Sequence, residues 1–416
     1  MQTPQGASTA PPFDNETVAS RSSNHAFQTR IINIDPSGDI VAAKLSYNGK
    51  FLAVLVENRL LVFNSHGWRK MSSTNVGGSG HGTSQDIHWR PNSDDEIIVV
   101  GKDGTVACFE GASTGVNVLL CRLNYLMGSM NLTGHSQVRF SVVNEEGSEL
   151  AAIRDRCLHV HGHPFDGVFS YASKTSLPPP GHPEVENYEA SGLISLAYVN
   201  EHAVLVGFEV GVLVISTTAP YIITLRSILA PELHSKEITV SRTKQDFLAL
   251  TRRGGYNFFE GDAHGLVVPA RTNALTHTWV SGVTTAAGTS HQSFERAIFL
   301  GNTRDSIVLG ASSGDLLLIS PGKTQVLHLP GFVSVHRLET GNLNGKPTII
   351  VALQDEIGSS AVAIVALYPD TDFQEVLLID EEQRTQTTVR RQVGRTVLIE
   401  INYLRHSSDT SCSNTS

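Results

Sequence analysis

The stretch DIHWRPNSDDEIIVVGKDGTVACFE, residues Asp86–Glu110, decides how the chain is read. With its flanking residues it makes three short apolar runs, SQDIHWRP, EIIVVGKDG and TVACFEG (Ser84–Gly111), separated by polar turn residues. Asp103-Gly104 is the tightest break, because aspartate and glycine tolerate the positive φ that a two-residue hairpin demands. Three strands joined by short turns make an antiparallel meander.

The same unit recurs on both sides. Upstream lie IVAAKLSYN, KFLAVLVEN and RLLVFNS (Ile40–Ser65), turning at Asn48-Gly49 and around Asn58. Downstream come QVRFSVVN, SELAAIRDR and CLHVHGH (Gln137–His163), then GLISLAYVN, HAVLVGFEVG and VLVISTT (Gly192–Thr218). EITVSRTK, DFLALTRRG and GYNFFEGD (Glu237–Asp262) follow, and then RAIFLGN, SIVLGASSG and DLLLISPG (Arg296–Gly322). A looser unit, VSVHRLETGN, PTIIVALQ and AVAIVALYP, spans Val333–Pro369. The middle runs centre near residues 54, 99, 152, 206, 249, 309 and 351, a spacing close to the ~40–50 residues of a propeller blade once loop insertions are allowed.

Fourth strands are visible as YIITLRSIL (Tyr221–Leu229), GLVVPART (Gly265–Thr272), TQVLHLP (Thr324–Pro330) and QEVLLID (Gln374–Asp380). Four strands per unit is the blade of a β-propeller. The middle runs, such as FLAVLV and AVLVGF, are apolar at consecutive positions, which implies burial on both faces between neighbouring blades. A pair of β-sandwich or barrel domains, the competing reading, would alternate. The expected fold is therefore all-β: a single seven-bladed β-propeller over residues 27–405. Residues 1–26 and 406–416 are too poor in large apolar side chains to offset ordering entropy and are expected as disordered tails. AFQTRIINI (Ala26–Ile34) and GRTVLIEINYL (Gly394–Leu404) are left over, and one of them is expected to close the ring as an outer strand.

Asp86–Glu110 resembles a WD repeat, with its Trp-x-Pro end to the first strand and its Gly-x-Asp-Gly-Thr-Val hairpin. Phe109-Glu110 stands where that family has its Trp-Asp pair. Gly134-His135, within LTGHSQVRFSVVN (Leu132–Asn144), is similar to the family's Gly-His entry. The resemblance implies a scaffold or adaptor domain, by fold analogy alone.

Composition narrows function. A net charge of −9 and a pI near 6.0 leave no basic footprint for nucleic acid. No run approaches the ~18 apolar residues of a membrane span, and the N-terminus has no signal-peptide pattern, so a cytoplasmic or nuclear protein without membrane insertion is expected. Asn15, Asn131 and Asn414 are then chance glycosylation patterns. Cys108, Cys121, Cys157 and Cys412 lie far apart without a CxxC pair, and reduced thiols are expected.

His159, His161 and His163 alternate along one run and could converge on zinc, but no carboxylate or thiolate partner accompanies them. Packing between blades is the better account. Gly77–Gly82 lacks the Lys-Ser/Thr of a phosphate loop, and no Gly-x-Ser-x-Gly elbow occurs. Asp94-Asp95-Glu96 and Asp380-Glu381-Glu382 are expected as solvated loop charge.

The longest inserts, Pro164–Ser191 and Asn273–Glu295, are expected as binding loops, with Trp68-Arg69 and Trp279 weighed as interface residues against packing under their own loops. No catalytic, cofactor or metal residues are assigned and no cofactor is expected. The reading is a non-enzymatic protein-interaction scaffold, a subunit of a nucleoporin-like or vesicle-tethering type of complex. The alternative is a propeller hydrolase or lactonase with a channel metal.

Overall fold

The computed structural model describes residues 17–369, apart from short internal stretches and the longer ones 124–136 and 272–293. Six four-stranded antiparallel blades follow one another along the chain. Blade 1 is Ile40–Leu45, Phe51–Val56, Arg59–Asn64 and Lys70–Asn75. Blade 2 is Ser84–Trp89, Ile97–Gly101, Val106–Glu110 and Val118–Leu123. Blade 3 is Val138–Val143, Glu149–Arg154, Cys157–Gly162 and Ser170–Ser176.

Blade 4 is Leu193–Asn200, Ala203–Phe208, Gly211–Ser216 and Ile223–Ile228. Blade 5 is Ser235–Val240, Asp246–Thr251, Tyr256–Gly261 and Val267–Arg271, and blade 6 is Phe294–Phe299, Ile307–Ala311, Leu316–Ser320 and Lys323–Leu327. All the middle-run centres read from the sequence fall inside observed second strands. The second strands of blades 2, 4, 5 and 6 are buried at every position, as continuous apolar runs require.

The expectation of seven blades, the last of them looser, is corrected to six among the described residues: beside them stands one five-stranded closing sheet made from both parts of the chain. It holds Ser334–Leu343, Lys346–Gln354 and Ser360–Pro369, then His25–Asn33 and Thr17–Ser22. His25–Asn33 pairs in unbroken register with Ser360–Pro369, from His25 opposite Pro369 to Asn33 opposite Ala361. Of the two leftover segments, the N-terminal one thus supplies the outer strand. It takes the place expected for Gln374–Asp380, which lies outside the described residues, as does Gly394–Leu404.

The closing sheet packs on both neighbours. Ile349, Val351 and Val365 share a core with Val308 and Leu316 of blade 6, while Ile350, Ile364 and Ile32 share one with Leu52 and Val54 of blade 1. The sheet reaches into the span expected as a tail, residues 1–26. Thr17–Ser22 and the start of the closing strand are held by backbone ladders, which need no apolar side chains.

The first strands touch one another in ring order, closing from Ser334–Leu343 back to Ile40–Leu45. Each carries a β-bulge near its start, after the first residue in the six blades, between Ile40 and Ala42, Ser84 and Asp86, Val138 and Phe140, Leu193 and Ser195, Ser235 and Glu237, and Phe294 and Arg296, and after the second in the closing sheet, between Val335 and Arg337. A bulge sharpens twist and re-aims the side chains after it. Here it sets the inner ring of polar residues described next. Gly49, at φ +70°, lies so close to the closing sheet that a Cβ there would sit 2.0 Å from the Asn342 carbonyl oxygen, so only glycine fits this turn.

Candidate functional site: the polar seams between blades

An inner strand has a ladder partner on one side only, and its free edge must find other hydrogen bonds. Side chains from adjacent blades supply them. Trp89 Nε1 donates to the Lys44 carbonyl at 2.9 Å, and Gln85 Nε2 donates to the Arg139 carbonyl at 2.9 Å. The Ala297 N–H donates to Glu237 Oε2 at 2.8 Å, and Arg296 Nε donates to the His336 carbonyl at 2.7 Å.

The densest seam joins blades 1, 2 and 3. Lys44 Nζ lies 3.1 Å from Asp86 Oδ1 and 3.5 Å from His88 Nδ1, and His88 Nε2 lies 2.9 Å from Ser141 Oγ. Burial works against the Lys44 ammonium, but the charges of Asp86 and Glu339 outweigh it and its pKa lies above the ordinary lysine value. Burial likewise opposes the Asp86 carboxylate, and Lys44 and His88 overcome it, leaving its pKa below the usual range. Burial and the nearby Lys44 charge depress His88 to about 3.

A serine beside a histidine invites comparison with a nucleophile and its base. The proton arrangement is the reverse. An ammonium can only donate, so Nδ1 of His88 accepts from Lys44 and Nε2–H is left to donate to Ser141. An imidazole with a pKa near 3 is also a poor base for a hydroxyl at neutral pH. This pair holds blades together.

Across the ring, burial pushes Glu237 up to about 7, against the pull of Arg296 and the Ala297 N–H. Lys236 Nζ pairs with Glu295 Oε2 at 3.3 Å beside it. Glu339 is also raised by burial, with Lys44 opposing.

His159 and His161 lie buried on the third strand of blade 3, both depressed to about 4, chiefly by burial, and so neutral at pH 7; His163 follows at φ 54°. Among the described residues, no group of three or more histidine, cysteine or carboxylate side chains gathers as a metal site. Asp94 and Glu96 correct the expectation of solvated charge. Asp94 accepts from Asn48 N at 3.0 Å and Asn48 Nδ2 at 2.9 Å, tying blade 2 to blade 1, while Glu96 accepts from Arg90 at 2.9 Å.

Pro164–Ser191 is no free loop. It contains the fourth strand Ser170–Ser176 and a helical turn, Glu186–Glu189. Tyr188 is 1% exposed, edge-on to Phe208 with ring centroids 5.1 Å apart, and Arg156 donates to the carbonyls of Tyr188 and Ser191 at 2.6 Å each. Trp68 is buried in the core shared with the closing sheet, and Arg69 is exposed. Asn273–Glu295 is described only from Phe294, so Trp279 lies outside the described residues. Gly77–Gly82, Gly134-His135 and Asp380–Glu382 also lie outside.

The seam residues were missed as a set, although each stood inside an expected first strand: Lys44, Asp86, His88, Glu237, Arg296, Arg337 and Glu339. Charge inside an otherwise apolar run was the available signal.

No family model and no curated protein matches the sequence. Solved structures do. Raptor of Chaetomium thermophilum is similar at a TM-score of 0.61 and 10% identity, over 83% of this chain and 29% of that one, so the chain spans under a third of Raptor's length. The Cps50 (Swd1) β-propeller domain of Myceliophteria thermophila gives 0.54 at 11% identity, over 80% of this chain and 98% of that one. Sqt1 of Saccharomyces cerevisiae gives 0.51 at 15% identity, over 80% and 84%. Identities this low speak to fold alone. With the ring and its inner strands, they agree on one architecture: the chain folds as a β-propeller of the kind seen in those proteins.

Proposed function

We propose that this chain is a protein-interaction scaffold, a subunit of a larger cytoplasmic or nuclear complex, in which the closing sheet serves as the seventh blade. The observation that carries the reading is the commitment of the inner polar groups. Lys44, Asp86, His88, Ser141, Glu237 and Arg296 all bond across blades, which leaves the ring's surfaces as the place for function. The likeness to other propeller proteins supports protein partners in general. No observation favours the hydrolase or lactonase alternative.

One face is favoured. Tyr47 and Ile222, 58% and 56% exposed, are the most exposed large apolar residues among those described. Tyr47 lies between the first and second strands of blade 1, and Ile222 between the third and fourth of blade 4. In a meander these two kinds of turn share a face. Aromatic and apolar anchors dominate interface energies, so Tyr47→Ala or Ile222→Ala is expected to weaken binding by about 2 kcal/mol where it meets a hot spot. Affinity purification of the tagged full chain, with mass spectrometry of co-purifying proteins, tests both claims. Retention of every partner by both variants overturns the face assignment. Turnover of a lactone or phosphoester panel by the partner-free chain, abolished by Glu339→Gln, overturns the scaffold reading.

A further inference from the structure

Two of the cysteines share one register position of the backbone ladder. In blade 2 the register places Cys121 of the fourth strand directly opposite Cys108 of the third. The pairing depends on an irregularity. Leu119 faces Phe109, so a regular ladder would set Leu120 opposite Cys108, but a register shift between Leu119 and Cys121 brings Cys121 there instead. Directly opposed residues of an antiparallel pair lie on one face with Cα atoms about 4.5–5.5 Å apart. A disulfide needs about 4.4–6.8 Å. Cys108 is fully buried, with its Sγ 3.6 Å from the Pro164 carbonyl oxygen of the next blade, and it is a thiol in this structure.

We propose that Cys108 and Cys121 form a reversible cross-strand disulfide that fastens the outer strand of blade 2 to its neighbour. The outer strand has one ladder partner and opens more readily than the strands inside it, so Cys121 reacts first. Its thiolate attacks one sulfur of a small disulfide such as oxidised glutathione, forming a mixed disulfide and releasing one glutathione thiolate. The Cys108 thiolate then attacks the Cys121 sulfur and displaces the second glutathione. Two protein thiols are oxidised, one disulfide is reduced, and the two protons given up by the cysteines end on the released thiols. The result is a rim whose outer strand is held by its ladder alone when reduced and covalently fixed when oxidised.

The test uses the folded full chain and its own tryptic map. Cleavage after Lys102 and Arg122 leaves Asp103–Arg122, which carries both cysteines and no internal Lys or Arg. The native protein is equilibrated with oxidised glutathione, quenched in acid, alkylated in denaturant and digested. The expected result is an unalkylated Asp103–Arg122 peptide lighter by two hydrogens, shifting back after reduction. The protein's thiol count should fall from four to two, and Cys121→Ser should lose the mass shift. Recovery of the peptide with two alkylated thiols, with glutathione on either cysteine, or bridged to Cys157 or Cys412 overturns the proposal.

Discussion

Replacing Asp86 by leucine strands the Lys44 ammonium in the seam between blades 1 and 2. The two side chains are only 22% and 23% exposed, and Nζ sits 3.1 Å from Oδ1. Removing one partner of a buried pair costs about 3–5 kcal/mol, because the remaining ion keeps its desolvation penalty without its counter-charge. Partial exposure and the nearby Glu339 carboxylate place this site at the low end, at about 3 kcal/mol. The double variant Asp86→Leu/Lys44→Met removes both charges and leaves volume, so it should recover most of that loss, to within about 1 kcal/mol of the parent. Denaturant unfolding followed by tryptophan fluorescence is the assay, since Trp89 is bonded to the Lys44 carbonyl and reports on the seam. A single variant that loses less than about 1 kcal/mol, or a double variant as unstable as the single, would refute the idea that this pair couples the blades.

Acid should destabilise the ring. His88, His159 and His161 have folded pKa values of about 3, 4 and 4, below the ordinary 6.5, so the stability they contribute is present above 6.5 and lost as pH falls; at pH 5 each loses about 2 kcal/mol. Replacing His161 by Gln should flatten the thermal midpoint between pH 7 and 5, and an unchanged slope would count against it. Glu237 acts in the opposite sense: its folded pKa of about 7 exceeds the ordinary 4.5, so its contribution is lost as pH rises through 7, and Glu237→Gln should gain about 1–3 kcal/mol over the parent at pH 8. Equal midpoints at that pH would contradict the assignment. Tyr188→Ala should cost about 3–5 kcal/mol in chemical denaturation, whereas a loss under 1 kcal/mol would return Pro164–Ser191 to the status of a loose loop. Deleting residues through Asn33 bares the edge of Ser360–Pro369 and should cause aggregation; a soluble truncation with the parent's unfolding midpoint would show that another segment closes the sheet.

What the amino-acid order determined by itself was everything set by short-range periodicity. The continuous apolar runs Phe51–Val56 and Ala203–Phe208 announced strands buried on both faces, and turn pairs such as Asn48-Gly49 and Asp103-Gly104 announced where the chain reverses. These signals need no partner to be read, because strand burial and positive φ are local demands. What only the tertiary structure decided was which distant strands meet. His25–Asn33 and Gly394–Leu404 are equally strand-like in sequence, and the choice of the former depends on the free edge of Ser360–Pro369, over three hundred residues away. The same holds for the seams. Lys44 with Asp86, Glu237 with the Ala297 N–H, and Cys108 opposite Cys121 each depend on blade packing or on a one-residue bulge. Pairing across a ring is a non-local property, and a shift of one residue in register changes every partner after it.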